Sequence, residues 1–170
     1  MKGKPLPEDE VYIGCKELLR VDGWQVLAGQ PPNGCDHLPV VEIKAPWRTQ
    51  KGSLAAYKPD LLAAREGIFL IIECKPRLDT GDVAKLREIL AEPGRVESLY
   101  SEIRQRRLLE RRQLTASFSE FRNGICGAVA HSGPPMSLPD LWVVIVRSMD
   151  GVGQILPPTK RTYSQGRSHA

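Results

Sequence analysis

Paired cysteines and long apolar runs are both missing from this 170-residue sequence. Its four cysteines are widely spaced and form no Cys-x-x-C pair, which argues against a zinc ribbon and favours reduced thiols in a cytosolic protein. The longest apolar runs, at 68–72 and 141–146, are far too short to span a bilayer. The first ten residues also lack the apolar core of a signal peptide. We therefore expect a cytoplasmic protein without a membrane-spanning segment.

The chain also lacks a large excess of charge of either sign. Twenty-four Lys and Arg residues against 20 Asp and Glu residues give a net charge of +4 and a pI of about 9.0. A moderately basic protein suits an anionic partner without requiring one. The length suits one domain with a full hydrophobic core, and there is no internal repeat. We predict one domain over 1–157, followed by a basic, polar tail over 158–170 that is expected to be disordered.

The most informative stretch is 57–76, YKPDLLAAREGIFLIIECKP, which has the pattern of one β-hairpin. Its second half begins with a run of β-branched and aromatic residues of the kind that fills a buried strand. Glu66 and Gly67 suit a two-residue turn between the strands. Such a turn pairs Arg65 with Ile68 and fixes the register of the whole hairpin.

Counting outward from this turn brings Asp60 opposite Glu73. Directly opposed residues on antiparallel strands have Cβ atoms about 4.5–5.5 Å apart, which suits two carboxylates sharing one metal ion. Lys75 lies two residues beyond Glu73 and so falls on the same face of the strand, whereas Cys74 points to the other face. Two carboxylates and an ammonium group are costly to bury unless they are paired or bind a metal. A divalent cation with a preference for oxygen ligands fits this pair of carboxylates.

The pattern Pro-Asp, twelve residues, Glu-Cys-Lys resembles the PD-(D/E)xK phosphodiesterase superfamily, which includes restriction endonucleases, Holliday-junction resolvases and recombination exonucleases. The resemblance implies an α/β fold with a restriction endonuclease-like core, in which a mixed β-sheet is flanked by helices in the order αβββαβ. It also implies a metal-dependent nuclease that leaves a 5′-phosphate and a 3′-hydroxyl. DNA is the expected substrate, and an endonuclease is favoured over an exonuclease.

The same resemblance implies a set of site residues. Asp60 and Glu73 would hold Mg²⁺, for which Mn²⁺ can substitute, and the carbonyl oxygen of Cys74 would be a further ligand. In this superfamily an N-terminal helix often supplies one more acid, for which Glu10 is the first choice and Glu17 the alternative; either acid could instead lie on a solvated helix face. Lys75 would orient the metal-bound water and stabilise charge in the transition state.

The remaining secondary structure follows from hydrophobic periodicity and from capping residues. We predict helices over Glu8–Val21, 83–91 and 95–114, and strands over 24–28, 38–44, Ile125–His131 and 141–148, in addition to the hairpin.

Two basic segments are candidates for contact with nucleic acid. The polar loop 45–56 contains Arg48 and Lys51, which could follow a phosphate backbone or belong to an ordinary surface loop. The second half of the predicted helix 95–114 carries a dense group of arginines that could bind phosphates or simply face solvent near the helix end. These arginines are Arg104, Arg106, Arg107, Arg111 and Arg112.

The chain contains one such hairpin, and one PD-(D/E)xK site cuts one strand. We therefore predict a homodimer that presents two sites to a duplex, with the strand 141–146 and the helix 95–109 as candidate contact surfaces, although either could be core. A non-catalytic nucleic-acid-binding or assembly subunit with a nuclease-like fold is the main alternative, and an unrelated α/β protein is the other. His131 is interpreted as structural, and the cluster at 35–37 as too isolated for a metal site.

Overall fold

The computed structural model describes residues 3–45 and 56–160, and in them a six-stranded mixed sheet is flanked by helices on both faces. The predicted α/β class with a mixed sheet is therefore confirmed. The elements are α1 (Glu8–Val21), β1 (Gln25–Gly29), β2 (Leu61–Arg65), β3 (Ile68–Lys75), α2 (Thr80–Ala91), α3 (Pro93–Gln105), a short 3-10 helix (Glu110–Arg112), α4 (Phe118–Gly124), β4 (Ile125–His131), β5 (Trp142–Val146) and β6 (Gly153–Leu156).

The strands lie in the sheet in the same order as in the chain. β1, β2 and β3 form an antiparallel meander, β4 and β5 continue parallel to β3, and β6 closes the edge antiparallel to β5. The crossover from β3 to β4 carries α2, α3 and α4, whose apolar residues pack in a core on one face of the sheet. Helix α1 covers the other face with a second core. Both faces of the central strands are therefore buried.

The β2–β3 hairpin has the predicted turn and register. Glu66 and Gly67 have φ angles of 49° and 78°, and positive φ at both positions is the requirement of a tight two-residue turn. Arg65 pairs with Ile68, and the ladder ends at the pair Leu61 and Ile72. Asp60 and Glu73 are therefore the next residues beyond the paired strands.

Helix α1 has the predicted bounds and packs closely on the sheet because of one glycine. A Cβ atom at Gly14 would overlap the carbonyl oxygen of Ser148 and the side chain of Val146. Only glycine allows this close approach of the helix to the end of β5. The buried stripe of α1 includes Val11 and Cys15, which face the sheet.

The predicted strand over 38–44 is wrong. The segment forms a single bridge between Ile43 and Tyr57 and lies beside α3, where the Ser98 hydroxyl accepts the Lys44 N–H. Val41 and Ile43 are buried in the core on the α3 side. Val41 and Ile43 alternate with polar residues because only one side of the segment is buried. An extended segment outside the sheet can have the same alternation as a strand.

The predicted helix over 95–114 is also wrong beyond Gln105. The buried positions of α3 are Val96, Leu99 and Ile103, so a continued helix would turn the arginines that follow toward the core. The chain instead breaks at Arg107, whose φ of 54° is left-handed. The break allows two consecutive leucines, at 108 and 109, to enter the core.

Two elements were not predicted, and the predicted tail begins too early. Helix α4 begins with a capping box in which Ser117 and Glu120 exchange side-chain and backbone hydrogen bonds, and the spacing of these residues was a readable signal. The short edge strand β6 had no comparable signal. The backbone N–H groups of Thr159 and Lys160 donate to carbonyl groups of the 138–139 segment, so disorder from residue 158 is wrong for 158–160. The rest of the tail lies outside the described residues.

Of the two suggested dimer surfaces, strand β5 and the apolar face of α3 are core. Strand β5 lies between β4 and β6, and its residues 143–146 are at most 1 % exposed. The apolar face of α3 likewise packs on the sheet. A dimer contact through the helix would therefore use its exposed polar face. Within the part of the chain that the structure describes, no helix has the length and apolar character needed to cross a membrane.

Candidate active site at the carboxyl end of strand β3

Asp60 and Glu73 lie together where β2 begins and β3 ends. Leu62 on β2 and Ile71 on β3 belong to the core on the α2 side of the sheet, so the strand period of two places both carboxylates on that face. The Oδ2 atom of Asp60 accepts the backbone N–H of Cys74 at 2.7 Å. The carboxylate thus holds the end of the hairpin together just past the last paired residues.

Burial makes both carboxylates weak acids. It raises the pKa of Asp60 to about 6, an effect that the hydrogen bond from Cys74 opposes and the charge of Glu8 reinforces. Burial raises the pKa of Glu73 to about 7, and the neighbouring charge of Asp60 adds to this shift. The two groups therefore carry negative charge that the fold only partly compensates.

Tyr57 and Lys85 complete the surroundings of Glu73, and the sequence analysis did not identify either residue. The Tyr57 hydroxyl donates a short hydrogen bond to Oε1 of Glu73. The Nζ atom of Lys85 lies 3.9 Å from the other oxygen, Oε2, and 4.4 Å from the centroid of the Tyr57 ring. Burial and the charge of Glu73 raise the pKa of the Tyr57 hydroxyl, so it remains a donor at all ordinary pH values.

Lys75 forms an ion pair with an acid of helix α1. Its Nζ atom lies 3.2 Å from Oε1 of Glu8. Burial alone would lower the pKa of Lys75, but the hydrogen bond to Glu8 and the nearby carboxylates of Asp82 and Asp60 outweigh it and raise the pKa overall. Lys75 therefore stays protonated and is electrostatically linked to Asp60, the role that a charge-stabilising lysine requires.

The acid that α1 supplies to this cluster is Glu8, and neither Glu10 nor Glu17 is placed there. Residues two apart on a helix point in nearly opposite directions, and Glu10 lies on the side of Gly14, which packs on the end of β5. Glu17 pairs with Arg20 at 2.8 Å. A signal for Glu8 existed, because it precedes the buried Val11 by three residues and so extends the apolar stripe of α1.

Asp82, in the first turn of α2, adds a further carboxylate. Its charge raises the pKa of Glu73 and of Lys75, and its Oδ2 atom is buried without a hydrogen-bond partner among the described residues. The cluster thus has four carboxylates and two ammonium groups, a formal excess of two negative charges. Its acids are Glu8, Asp60, Glu73 and Asp82, and its bases are Lys75 and Lys85.

This charge pattern fits a divalent cation. The two raised carboxyl pKa values and the orphaned oxygen of Asp82 are the expected signs of a site that lacks a positive charge. Over residues 3–45 and 56–160, however, no three Asp, Glu, His or Cys side chains converge as a ready-made metal cage. A donor set limited to the carboxylates of Asp60 and Glu73 would be compatible with Mg²⁺, which usually keeps several waters and takes one or two protein carboxylates.

The arginines predicted to contact nucleic acid lie where α3 ends, on exposed surface. Arg106 is held by the carbonyl oxygen of Val40 and by Glu102, and Arg104 lies over the ring of Tyr100. Arg107 and Arg111 flank the left-handed turn and are exposed. The other two predicted contacts, Arg48 and Lys51, lie outside the described residues.

The cluster at 35–37 has a structural use. Asp36 accepts hydrogen bonds from the Tyr12 hydroxyl at 2.6 Å and from Lys16 at 2.9 Å, both on α1. These bonds lower the pKa of Asp36 although burial opposes them. These hydrogen bonds connect the loop after β1 to α1, the helix that contains Glu8.

His131, the last residue of β4, is buried and held neutral. Its Nδ1 atom accepts the N–H of Gly133 at 3.0 Å, so the neutral ring carries its proton on Nε2. Burial, aided by the charge of Arg147, lowers the pKa of His131 below its ordinary value of 6.5. We expect this histidine to destabilise the fold in acid, because the unfolded chain binds a proton that the folded chain refuses.

The loss of unfolding free energy caused by His131 is small above pH 6.5. Below that pH it grows by at most about 1.4 kcal/mol for each pH unit. Urea unfolding at pH 7.5 and 5.5 checks it by comparing the wild type with His131→Leu, which should lose less stability in acid. The comparison is needed because Asp60 and Glu73, with raised pKa values, act with the opposite sign in the same range. Equal acid sensitivity of the two proteins would contradict the assignment.

Comparison of the chain with protein-family models, curated proteins and solved structures found no significant match in any of the three. The function therefore has to be inferred from the site itself.

Proposed function

We propose that this protein is a metal-dependent nuclease of the PD-(D/E)xK type that hydrolyses phosphodiester bonds in DNA. The observation that carries the proposal is the apposition of Asp60 and Glu73, both with raised pKa values, beside the protonated Lys75. A structural role explains this group poorly, because three ionisable side chains at the end of an apolar strand destabilise the fold.

The fold is compatible with the proposal. The element order α1, β1–β3, α2 and β4 is compatible with an αβββαβ core, with α3, the 3-10 helix and α4 as additional elements between α2 and β4. The candidate site lies at the carboxyl end of β3, where the sheet changes from antiparallel to parallel pairing.

The roles of the residues follow from their positions. Asp60 and Glu73 would hold Mg²⁺, and the Cys74 carbonyl remains a ligand that only the resemblance supports. The metal, when bound, would polarise a phosphate oxygen and lower the pKa of a water. Lys75 would orient the attacking water and stabilise the charge that develops on the phosphate, leaving a 5′-phosphate and a 3′-hydroxyl. Glu8 acts through Lys75, because its ion pair fixes the direction of the ammonium group.

Incubation with linear, circular, single-stranded and branched DNA, in Mg²⁺ or Mn²⁺ and in EDTA, tests the function directly. We expect metal-dependent cleavage of at least one substrate and ligatable ends that carry a 5′-phosphate. The matched control is Arg87→Gln, which removes a charge from α2 at an ion pair with Asp140 remote from the acidic cluster. The absence of cleavage on every substrate, with metal binding shown separately, would favour the non-catalytic alternative.

That alternative has one observation in its favour. The described residues contain no third acid grouped with Asp60 and Glu73 as a metal ligand, and Glu8 is engaged with Lys75. A nucleic-acid-binding or assembly subunit with a nuclease-like fold would tolerate such a site. Retention of both core carboxylates and of the lysine favours the enzyme.

The exposed arginines beside the left-handed turn are the proposed phosphate contacts. We expect Arg107→Glu combined with Arg111→Glu to weaken DNA binding and to lower the slope of log K against log salt by about one for each lost contact, because fewer counterions are released. Arg106 is a poor choice for this test because its bond to Val40 supports the fold. Fluorescence anisotropy over a salt series measures both quantities, with exposed Arg122→Glu as control. If affinity and slope are both unchanged, this surface does not contact DNA.

Cleavage of both strands of a duplex predicts a homodimer, since each chain has one such hairpin. Sedimentation at micromolar concentration should give twice the mass of 18.9 kDa, with or without DNA. A monomer under both conditions would refute the dimer and leave the chemistry of the site untouched. In that case the protein would nick or degrade ends.

A further inference from the structure

Lys85 covers the outer side of a buried carboxylate. Its Nζ atom lies 3.9 Å from Oε2 of Glu73, and the side chain of Lys85 is 45 % exposed whereas that of Glu73 is 6 % exposed. The ammonium group also lies 4.4 Å from the centroid of the Tyr57 ring, within range of a cation–π interaction. The lysine thus stands between solvent and the acidic cluster.

The two oxygens of Glu73 have different partners. Oε1 accepts the hydroxyl proton of Tyr57, which is buried and therefore fixed in direction. Among the residues that the structure describes, the partner of Oε2 is Lys85, and Oε2 is the oxygen left for a cation. The positive charge of Lys85 also stabilises the ionised form of Asp60, so it acts on both proposed metal ligands.

We propose that Lys85 is an internal counter-ion that occupies the cation side of Glu73 and is displaced by the divalent cation, after which it contacts the phosphate of the bound nucleic acid. This inference rests on the proposed function. An ammonium group and a divalent cation repel each other, so their simultaneous placement at Oε2 is disfavoured. Lys85 can leave because its four-carbon stem is flexible and half exposed.

With the divalent cation neutralising the formal excess of two negative charges in the cluster, the displaced ammonium group would be free to contact a phosphate of the substrate. Asp82 is three residues before Lys85 on α2, so both side chains lie on the side of the helix that faces Glu73. Displacement of Lys85 by the metal predicts that removing the ammonium group has opposite effects on the affinity for metal and on the affinity for nucleic acid. Loss of the ammonium strengthens metal binding and weakens nucleic-acid binding in the presence of metal. A lysine that served only packing would not move the two affinities in opposite directions.

The first measurement is a titration of the full chain with Mn²⁺ in the absence of DNA. Electron paramagnetic resonance gives the concentration of free Mn²⁺ at each point. Lys85→Met should bind Mn²⁺ about three- to tenfold more tightly than the wild type, as expected for removal of one nearby charge in a partly exposed site. Lys85→Arg keeps the charge and should resemble the wild type. Arg87→Gln, on the same helix but paired with Asp140, is the control for a general change in charge.

The second measurement is binding of a short DNA duplex in Mn²⁺, in a Lys75→Ala background that prevents cleavage. Lys85→Met should lower the affinity by about three- to tenfold in this background, and Lys85→Arg should restore it. Unchanged or weaker Mn²⁺ binding by Lys85→Met overturns the inference, as does tighter Mn²⁺ binding without a loss of DNA affinity. A wild type that binds no Mn²⁺ overturns the proposed function as well, so the two failures are distinguishable.

Discussion

Lys75→Ala is expected to reduce DNA cleavage severely, by about 10²–10³-fold, while the protein remains folded. The lysine is the cation that would stabilise the developing charge, and removing one such group typically lowers the rate by about 10²–10³. Its side chain is 35 % exposed and is held by the ion pair with Glu8, so truncation leaves no large cavity in the core. Single-turnover cleavage and circular dichroism measure the two quantities.

Glu8→Gln tests whether Glu8 positions Lys75, because the substitution leaves Lys75 itself in place. It keeps Lys75 but weakens the ion pair that directs it, so we expect a partial loss of activity, smaller than that of Lys75→Ala. The control with unchanged activity is again Arg87→Gln. Wild-type cleavage by Lys75→Ala, on any substrate that the parent cuts, would end the nuclease assignment.

Glu73→Gln is expected to stabilise the metal-free protein and to remove its response to metal. Ionised Glu73 is buried beside Asp60 and Asp82, and these surroundings raise its pKa to about 7 from an ordinary 4.5. Neutralising it should add about 1–3 kcal/mol at pH 8, or roughly 3–8 °C in Tm. Glutamine is preferred to alanine because its carbonyl oxygen can still accept the Tyr57 hydroxyl, which alanine would leave buried without a partner.

The sign of this effect can be checked by pH. Between pH 4.5 and about 7 folded Glu73 keeps a proton that the unfolded chain has released, so the contribution of Glu73 to the stability of the wild type falls as pH rises through this range. The advantage of Glu73→Gln should therefore be absent near pH 4 and complete above pH 7. A variant that is less stable than the wild type at pH 8 would show that the ionised carboxylate is already compensated.

Added metal should make the wild type more stable than Glu73→Gln, which is the reverse of the order expected without metal. Millimolar Mg²⁺ or Mn²⁺ is expected to bind the folded wild type and to raise its Tm, whereas Glu73→Gln should respond much less. Differential scanning with and without EDTA gives both values. An equal response of the two proteins would place the metal elsewhere and refute Glu73 as a ligand.

The sequence by itself determined the central geometry of the site. The turn at Glu66 and Gly67 and the strand period of two are local properties, so they fixed the register that brings Asp60 to Glu73. The same period placed Lys75 on their face and Cys74 in the core beneath α1. Periodicity also gave α1 its bounds. The capping box of α4 was equally local and could have been read.

Only the tertiary structure decided which other side chains join the hairpin. Glu8 and Lys85 reach the site from helices on opposite faces of the sheet, and their meeting depends on how α1 and α2 pack. Tyr57 could not be assigned because its partner, Glu73, is sixteen residues away and the intervening register does not determine where a side chain before β2 points.

The break after Gln105 was likewise a tertiary outcome. Helix propensity and the run of arginines favour a continued helix, but burial of the leucines at 108 and 109 requires the chain to turn. Local preference is worth a few tenths of a kcal/mol per residue, whereas burying one leucine side chain is worth about 1.5–3 kcal/mol. Core packing therefore overrides local preference at the end of α3, and it leaves the arginines on an exposed turn.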